Sequence, residues 1–214
     1  MICTRNALSN AARVLVIVIT FSGAVWADNQ TADLSPVVIG GSLPFSASIL
    51  PSSFAQGPLP TLHSFAHATY DGKWVLLGGM SNGMHDMNGL GFEAEFRNPN
   101  VVVIDPVTQQ FWTRSLATDA SAGLTQDQLD SLMVTNSQFT QQGSHLYVAG
   151  GYGPTEQLGW HTFDTLTSID LPGLINWVKS GTGSVAGNIR QINDPIFQVT
   201  GGDLATTSNG QSHL

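Results

Sequence analysis

The chain is poor in cysteine, in charge and in long apolar runs. Its one cysteine, Cys3, lies at the extreme N-terminus. The rest of the chain therefore has no disulfide framework, no thiol nucleophile and no thiolate metal site. Charged residues make up only 10% of the sequence, with seven basic against 15 acidic side chains. No cluster or stripe of Lys and Arg is present to hold phosphates, so neither nucleic acid nor an anionic membrane surface is expected as a partner. The scarcity of Lys and Glu also argues against a helical protein, which would carry such helix formers on its outer faces. His-Glu-x-x-His and the phosphate-binding loop are both missing, and no catalytic residue, metal ligand or cofactor site is assigned.

The longest apolar run, VLVIVITFSGAVW from Val14, falls short of the ~20 residues that span a bilayer. Arg5 and Arg13 precede it, and Val25-Trp26-Ala27 places small residues at the two positions a signal peptidase reads. Residues 1–27 therefore read as a signal peptide cleaved before Asp28. Export to the periplasm or the medium is expected, with no stable membrane anchor once the segment is removed. Cleavage would also take away Cys3, Arg5 and Arg13, leaving five basic residues against 15 acidic ones and a net charge of −10. Asn29-Gln30-Thr31 would accept a glycan only in a eukaryotic secretory pathway.

What the sequence does have is 42% hydrophobic residues, 23 glycines and 10 prolines, the composition of an all-β chain with many turns. Residues 28–62 are irregular, with short apolar runs at 37–39 and 45–50. Pro36, Pro44, Pro51, Pro58 and Pro60 confine any strands there to edges. From residue 63 the runs SFAHATYDG, KWVLLGG, NVVVIDP and FWTRSL follow one another, each closed by Asp-Gly, Gly-Gly or Asp-Pro or by the next turn. They predict a four-stranded antiparallel sheet over about 63–118. Thr125 with Gln128 three residues on is a capping-box pattern, and it opens a short helix through Leu129, Leu132 and Met133.

A second unit over about 136–180 repeats the order. HLYVAGG matches KWVLLGG, residues 167–170 match the strand ending in Asp105, and residues 175–178 match the outer strand. Gly78-Gly79 and Gly150-Gly151 lie 72 positions apart, and Asp105 to Trp112 and Asp170 to Trp177 are both separations of seven. A third unit, about 190–214, is incomplete. Residues 196–202 read either as its second strand, ending in a third Gly-Gly, or as its first strand with Ser212 to Leu214 opening the second after an Asn209-Gly210 turn. The latter reading keeps the repeat near 70.

Strand, Gly-Gly, strand, Asp and then Trp resembles the kelch motif of β-propellers. The resemblance implies a partial kelch-type propeller of two blades plus part of a third, with one short helix in an inter-blade loop. Gly78, Gly79, Asp105, Trp112, Gly150, Gly151, Asp170 and Trp177 would be its structural motif residues. The chain departs from the family by carrying Ile104 and Ile169 where a Tyr usually precedes the Asp, and by repeats longer than ~50 residues. Since propellers close with roughly 4 to 8 blades, the resemblance further implies a piece of a longer protein. Kelch propellers belong to a galactose-oxidase-like superfamily, but the copper site of that enzyme requires a cysteine crosslinked to a tyrosine, which residues 28–214 cannot supply.

In such propellers the loops between second and third strands gather at one face. Here those loops carry His85, Asp86, Glu93 and Glu95 in the first unit and Trp160 and His161 in the second, beside Asn88 and Glu156. These are the candidate ligand-binding residues, against the plainer reading of a Gly- and Asn-rich loop with solvated charges. The expected role is a binding module for a protein or a glycan. The alternative is a carbohydrate-active propeller enzyme of the sugar mutarotase or epimerase kind, incomplete in this chain. His67, sharing a strand face with Phe65 and Thr69, reads as a structural histidine.

Overall fold

The computed structural model describes residues 2–5, 45–48, 54–82 and 91–214, and the chain divides into two units, Met1–Thr61 and Leu62–Leu214. In the first unit β1 (Ile2–Arg5) pairs antiparallel with β2 (Phe45–Ser48), Ile2 opposite Ser48. The second expected strand at 37–39, the apolar run from Val14 and the cleavage point before Asp28 lie outside the described residues.

The second unit is built mainly of antiparallel sheet. β3 (Ala66–Tyr70), β4 (Lys73–Leu77), β5 (Asn100–Asp105) and β6 (Gln110–Ser115) form a four-stranded meander in chain order. Asp71 and Gly72, with φ of 48° and 71°, make the two-residue turn whose twist matches a β-hairpin. Val101 to Ile104 are buried along the whole of β5, as a strand covered on both faces requires. At the far end Asp105 Oδ1 accepts from the backbone N–H of Val107 and of Thr108, both at 3.0 Å. This local turn opens β6.

The expected helix follows as α1 (Gln126–Leu132). Thr125 Oγ1 accepts from Gln128 N at 3.2 Å and Gln128 Oε1 from Thr125 N at 3.0 Å, a reciprocal cap that satisfies two amides at the helix start. Next come β7 (Gln138–Gln142), β8 (His145–Ala149), the hairpin β9 (Tyr152–Thr155) and β10 (Gly159–Thr162), then β11 (Thr165–Asp170), α2 (Leu171–Ser180) and β12 (Ile189–Asn193). Strands β7, β8, β11 and β12 form a second four-stranded antiparallel sheet. β13 (Ala205–Thr206) and β14 (Ser212–His213) pair around the Asn209-Gly210 turn.

Several sequence expectations are corrected here. Residues 175–178 are not an outer strand but part of α2, a second helix where one was expected. Trp177 therefore sits on a helix while Trp112 sits on β6, and the equal Asp-to-Trp spacings do not mark equivalent places. Asp170, expected as a motif residue ahead of the outer strand, instead caps α2, its side chain accepting from Gly173 N at 3.0 Å. The fourth strand of the second sheet is β12, whose residues had been assigned to the third unit. Residues 196–202 form no strand, so the third unit opens at β13, and Gly201-Gly202 precedes that strand instead of ending it.

A different repeat joins the units. Gly79 N donates to Val134 O and Gly151 N to Val199 O, each at 2.8 Å. Immediately before the first strands, Ser64, Asn136 and Gly201 all have positive φ, at 56°, 54° and 71°. Asn136 N donates to Ser64 O at 3.1 Å, and Gly201 N donates to Asn136 O at 2.7 Å. Asn136 and Gly201 are thus left-handed residues each hydrogen-bonded to the counterpart that precedes it along the chain. Gln141 strengthens this link, accepting from Thr69 N at 2.9 Å and donating to Thr69 O at 2.7 Å.

The core lies between the two sheets and is completed by α2. One face of the helix buries Leu171, Leu174, Ile175, Trp177 and Val178, together with Val75, Val101 and Val103 of the first sheet and Leu146 and Ile169 of the second.

Candidate functional site

Both long inter-strand loops contribute to one aromatic cluster. The first loop returns through Phe92, Glu93 and a 3-10 turn, Ala94–Phe96, to β5. The second is the β9–β10 hairpin, which projects between β8 and β11. Its register sets Trp160 opposite Pro154 and Thr162 opposite Tyr152. Its tip is held where Thr155 Oγ1 accepts from Leu158 N at 3.1 Å and Gly159 turns at a φ of 62°.

Phe92 of the first loop meets both aromatic rings of the hairpin. Its ring centroid is 5.3 Å from that of Tyr152 at 82°, and 5.7 Å from that of Trp160 at 62°. Tyr152 and Trp160 lie 5.2 Å apart and tilted by 31°. Edge-to-face and offset rings at such separations attract one another beyond their buried area. Phe92 remains 41% exposed and Leu158, at the hairpin tip, 70%, so the cluster presents apolar surface to solvent.

Of the residues singled out from sequence, Trp160 is in this cluster and His161 is beside it. His161 Nδ1 donates to Gly159 O at 2.9 Å, and its ring lies 4.4 Å from that of Phe163. A carbonyl oxygen can only accept, so Nδ1 carries the proton of this bond. Glu93 is half-buried at the foot of the loop, and Glu95 and Glu156 are exposed. His85 and Asp86 lie outside the described residues. Phe92 and Tyr152 went unselected in the sequence reading. Tyr152 follows Gly150-Gly151 directly, but its meeting with Phe92 links positions 60 apart.

The loops rest on firm supports. Arg97 Nε donates to Met133 O at 3.0 Å and Arg97 Nη2 to Asp130 O at 3.1 Å, with the Asp130 carboxylate 3.6 Å away. This ties the end of the first loop to the last turn of α1, where a cation meets the carbonyl-rich helix end. Burial lowers the Arg97 pKa and the Asp130 charge opposes that shift. Val134 packs beneath the hairpin, touching Gly151 and Gly153. Gly78 and Gly150 are required by close approach. A Cβ on Gly78 would lie 2.6 Å from Val134 O, and one on Gly150 2.0 Å from Val199 O.

Two further histidines, His63 and His67, serve the framework. His63 bridges Ser64 Oγ at 3.1 Å and Asn82 Oδ1 at 3.2 Å. His67 stands edge-on to Phe139, centroids 4.7 Å apart, and to Phe65 at 6.3 Å. These rings desolvate it and hold its pKa below the usual histidine value, partly countered by the Asp203 carboxylate. Among the described residues no three of His, Cys, Asp and Glu converge to hold a metal ion, and no helix is long and apolar enough to cross a membrane. Chemically, the aromatic cluster offers stacking and apolar contact. No protein-family model matches the chain, and no curated protein is significantly similar to it.

Proposed function

We propose that this chain is an exported kelch-type propeller segment that acts as a binding module, holding a protein or glycan ligand on its inter-strand loops. The single observation that carries the proposal is the meeting of Phe92 with Tyr152 and Trp160 across the loops of two successive sheets. Aromatic rings supply large, rigid contact area at low entropic cost, and an exposed cluster on loops is a common recognition surface. The propeller reading is supported by the two four-stranded meanders and by the recurring Gly79–Val134 and Gly151–Val199 hydrogen bonds. It no longer draws on Trp177.

The test is retention on immobilised oligosaccharides, followed by single substitutions. W160A and F92A are each expected to weaken retention by about tenfold, as loss of a stacking anchor does. Retention that neither substitution alters would overturn the assignment of the site. Binding to no sugar, combined with an aromatic-dependent protein partner, would decide for the protein ligand. Export is tested separately by sequencing the N-terminus of the mature protein, which should begin at Asp28.

A further inference from the structure

Lys73 and Lys179 are the only lysines in a chain of net charge −8, and both line one groove of about 330 Å³ between the β3–β4 turn and α2. That volume lies within the range of small-ligand sites. The groove is built on rigid parts. Asp71 and Gly72 fix the hairpin turn, and Asn176 and Lys179 stand three residues apart on one helix face, where side chains are neighbours.

The charges within it are differently engaged. Lys73 Nζ donates to Asp71 O at 3.1 Å and lies 3.3 Å from Asp71 Oδ2, with its side chain only 17% exposed. Lys179 Nζ sits 4.4 Å over the ring of Trp112 and donates to no oxygen among the described residues. A cation over an indole is held by the ring quadrupole and keeps its hydrogen-bond donors for a ligand. Two carboxylates are close. Asp71 is 81% exposed, and Asp105 feels the Lys73 charge but spends Oδ1 on its own turn. Pro172 and the buried Ile175 give an apolar wall, while the Tyr70 hydroxyl and the Asn176 amide add neutral hydrogen-bonding groups.

We infer that this groove binds a small hydroxylated carboxylic acid, independently of the aromatic cluster on the loops. The Lys179 ammonium, with its donors unspent, draws in one negative charge; Asp71 and Asp105 repel a dianion such as phosphate, since like charges nearby are costly. Hydroxyls on the ligand meet Tyr70, Asn176 and Asp71, and its carbon skeleton lies on Pro172 and Ile175.

The experiment is calorimetric titration of the whole chain with D-glucuronate at low ionic strength, with D-glucose and inorganic phosphate as comparison arms. Glucuronate is expected to bind at least about tenfold more tightly than either, consistent with one charge-assisted hydrogen bond. K179Q should weaken it by about tenfold, K179R should restore part of the loss, and R190Q, which removes an exposed cation outside the groove, should leave it unchanged. Circular dichroism confirms that each variant is folded. Glucuronate binding no better than glucose, phosphate binding more tightly than glucuronate, or indifference to K179Q would overturn the inference.

Discussion

The guanidinium of Arg114 lies 4.1 Å over the Trp177 ring and also donates to the Trp177 carbonyl oxygen at 2.6 Å. One side chain of β6 thereby grips α2 by ring and by backbone. Arg114 further donates to Thr182 O at 2.9 Å, Gly183 O at 3.3 Å, Ser121 Oγ at 2.9 Å and the Asp119 carboxylate. Trp177 Nε1 donates to the same Gly183 O at 2.9 Å, so the segment after α2 is held by both residues. Arg114 itself is only 8% exposed.

Replacing Arg114 by Met should keep the stem packed and remove every one of these donors. The buried Trp177 carbonyl left without its donor costs about 1–3 kcal/mol, and smaller losses at the exposed Thr182, Gly183 and Ser121 partners add to it. Chemical denaturation of R114M should therefore show a loss of about 3 kcal/mol. A loss under ~1 kcal/mol would mean that the contacts are not maintained in solution.

Two glycines separate conformational strain from close approach. Gly72 and Gly150 both have positive φ, at 71° and 61°, but a Cβ on Gly72 meets nothing within 4 Å while one on Gly150 would collide with Val199 O. G72A should cost only the left-handed penalty of ~1–2 kcal/mol. G150A must also push the backbone of residues 197–199 away and break the Gly151–Val199 hydrogen bond, so it should cost several kcal/mol more or prevent folding. Urea midpoints of the two variants make the comparison.

The elements that the sequence announced are those whose signals are local. Runs such as KWVLLGG and NVVVIDP alternate with turn residues at strand spacing, and both sheets contain them. The Thr125–Gln128 pair named α1 to within a residue. Residues 171–180 carried equally local signals: Asp170 as a cap, Pro172 in the first turn, apolar residues at 171, 174, 175 and 178, and Gly181 to end the helix. The equal spacing that pairs Trp177 with Trp112 is a coincidence and points away from these signals. The repeat found in the structure runs through Ser64, Asn136 and Gly201, three different residue types sharing a backbone angle, and no residue pattern marks it. The candidate site was half legible. Trp160 and His161 stand out within their loop, whereas the Phe92–Tyr152 contact depends on how two sheets pack.

The cap of α2 offers a direct test of that helix. D170A removes the acceptor for Gly173 N and should cost about 1 kcal/mol, with D170N and D170S recovering most of it. Were residues 175–178 a strand, as their apolar run suggests in isolation, the three substitutions would be indistinguishable. Thermal melts followed at a helix-sensitive wavelength separate the outcomes.

Stability should fall on the acid side in two separate windows. His67 is held below the ordinary histidine value of about 6.5 by the desolvating rings around it, so the folded state favours the neutral ring and the unfolded chain binds the proton more readily. Its contribution is complete above pH ~6.5 and is lost as the pH falls through the depressed folded value. Asp119 is lowered to about 2 by the Ser121 hydroxyl first and by Arg114 next, so here the folded state favours the carboxylate. That contribution is complete above the ordinary value near 3.8 and disappears as the pH falls through about 2. Denaturation midpoints taken from pH 8 to pH 2 should therefore decline first below pH ~6.5 and again below pH ~4. D119N should flatten the lower limb and leave the upper one, while H67F should do the reverse. A wild-type profile that is level between pH 7 and pH 5, or an unchanged lower limb in D119N, would contradict the contacts from which these shifts arise.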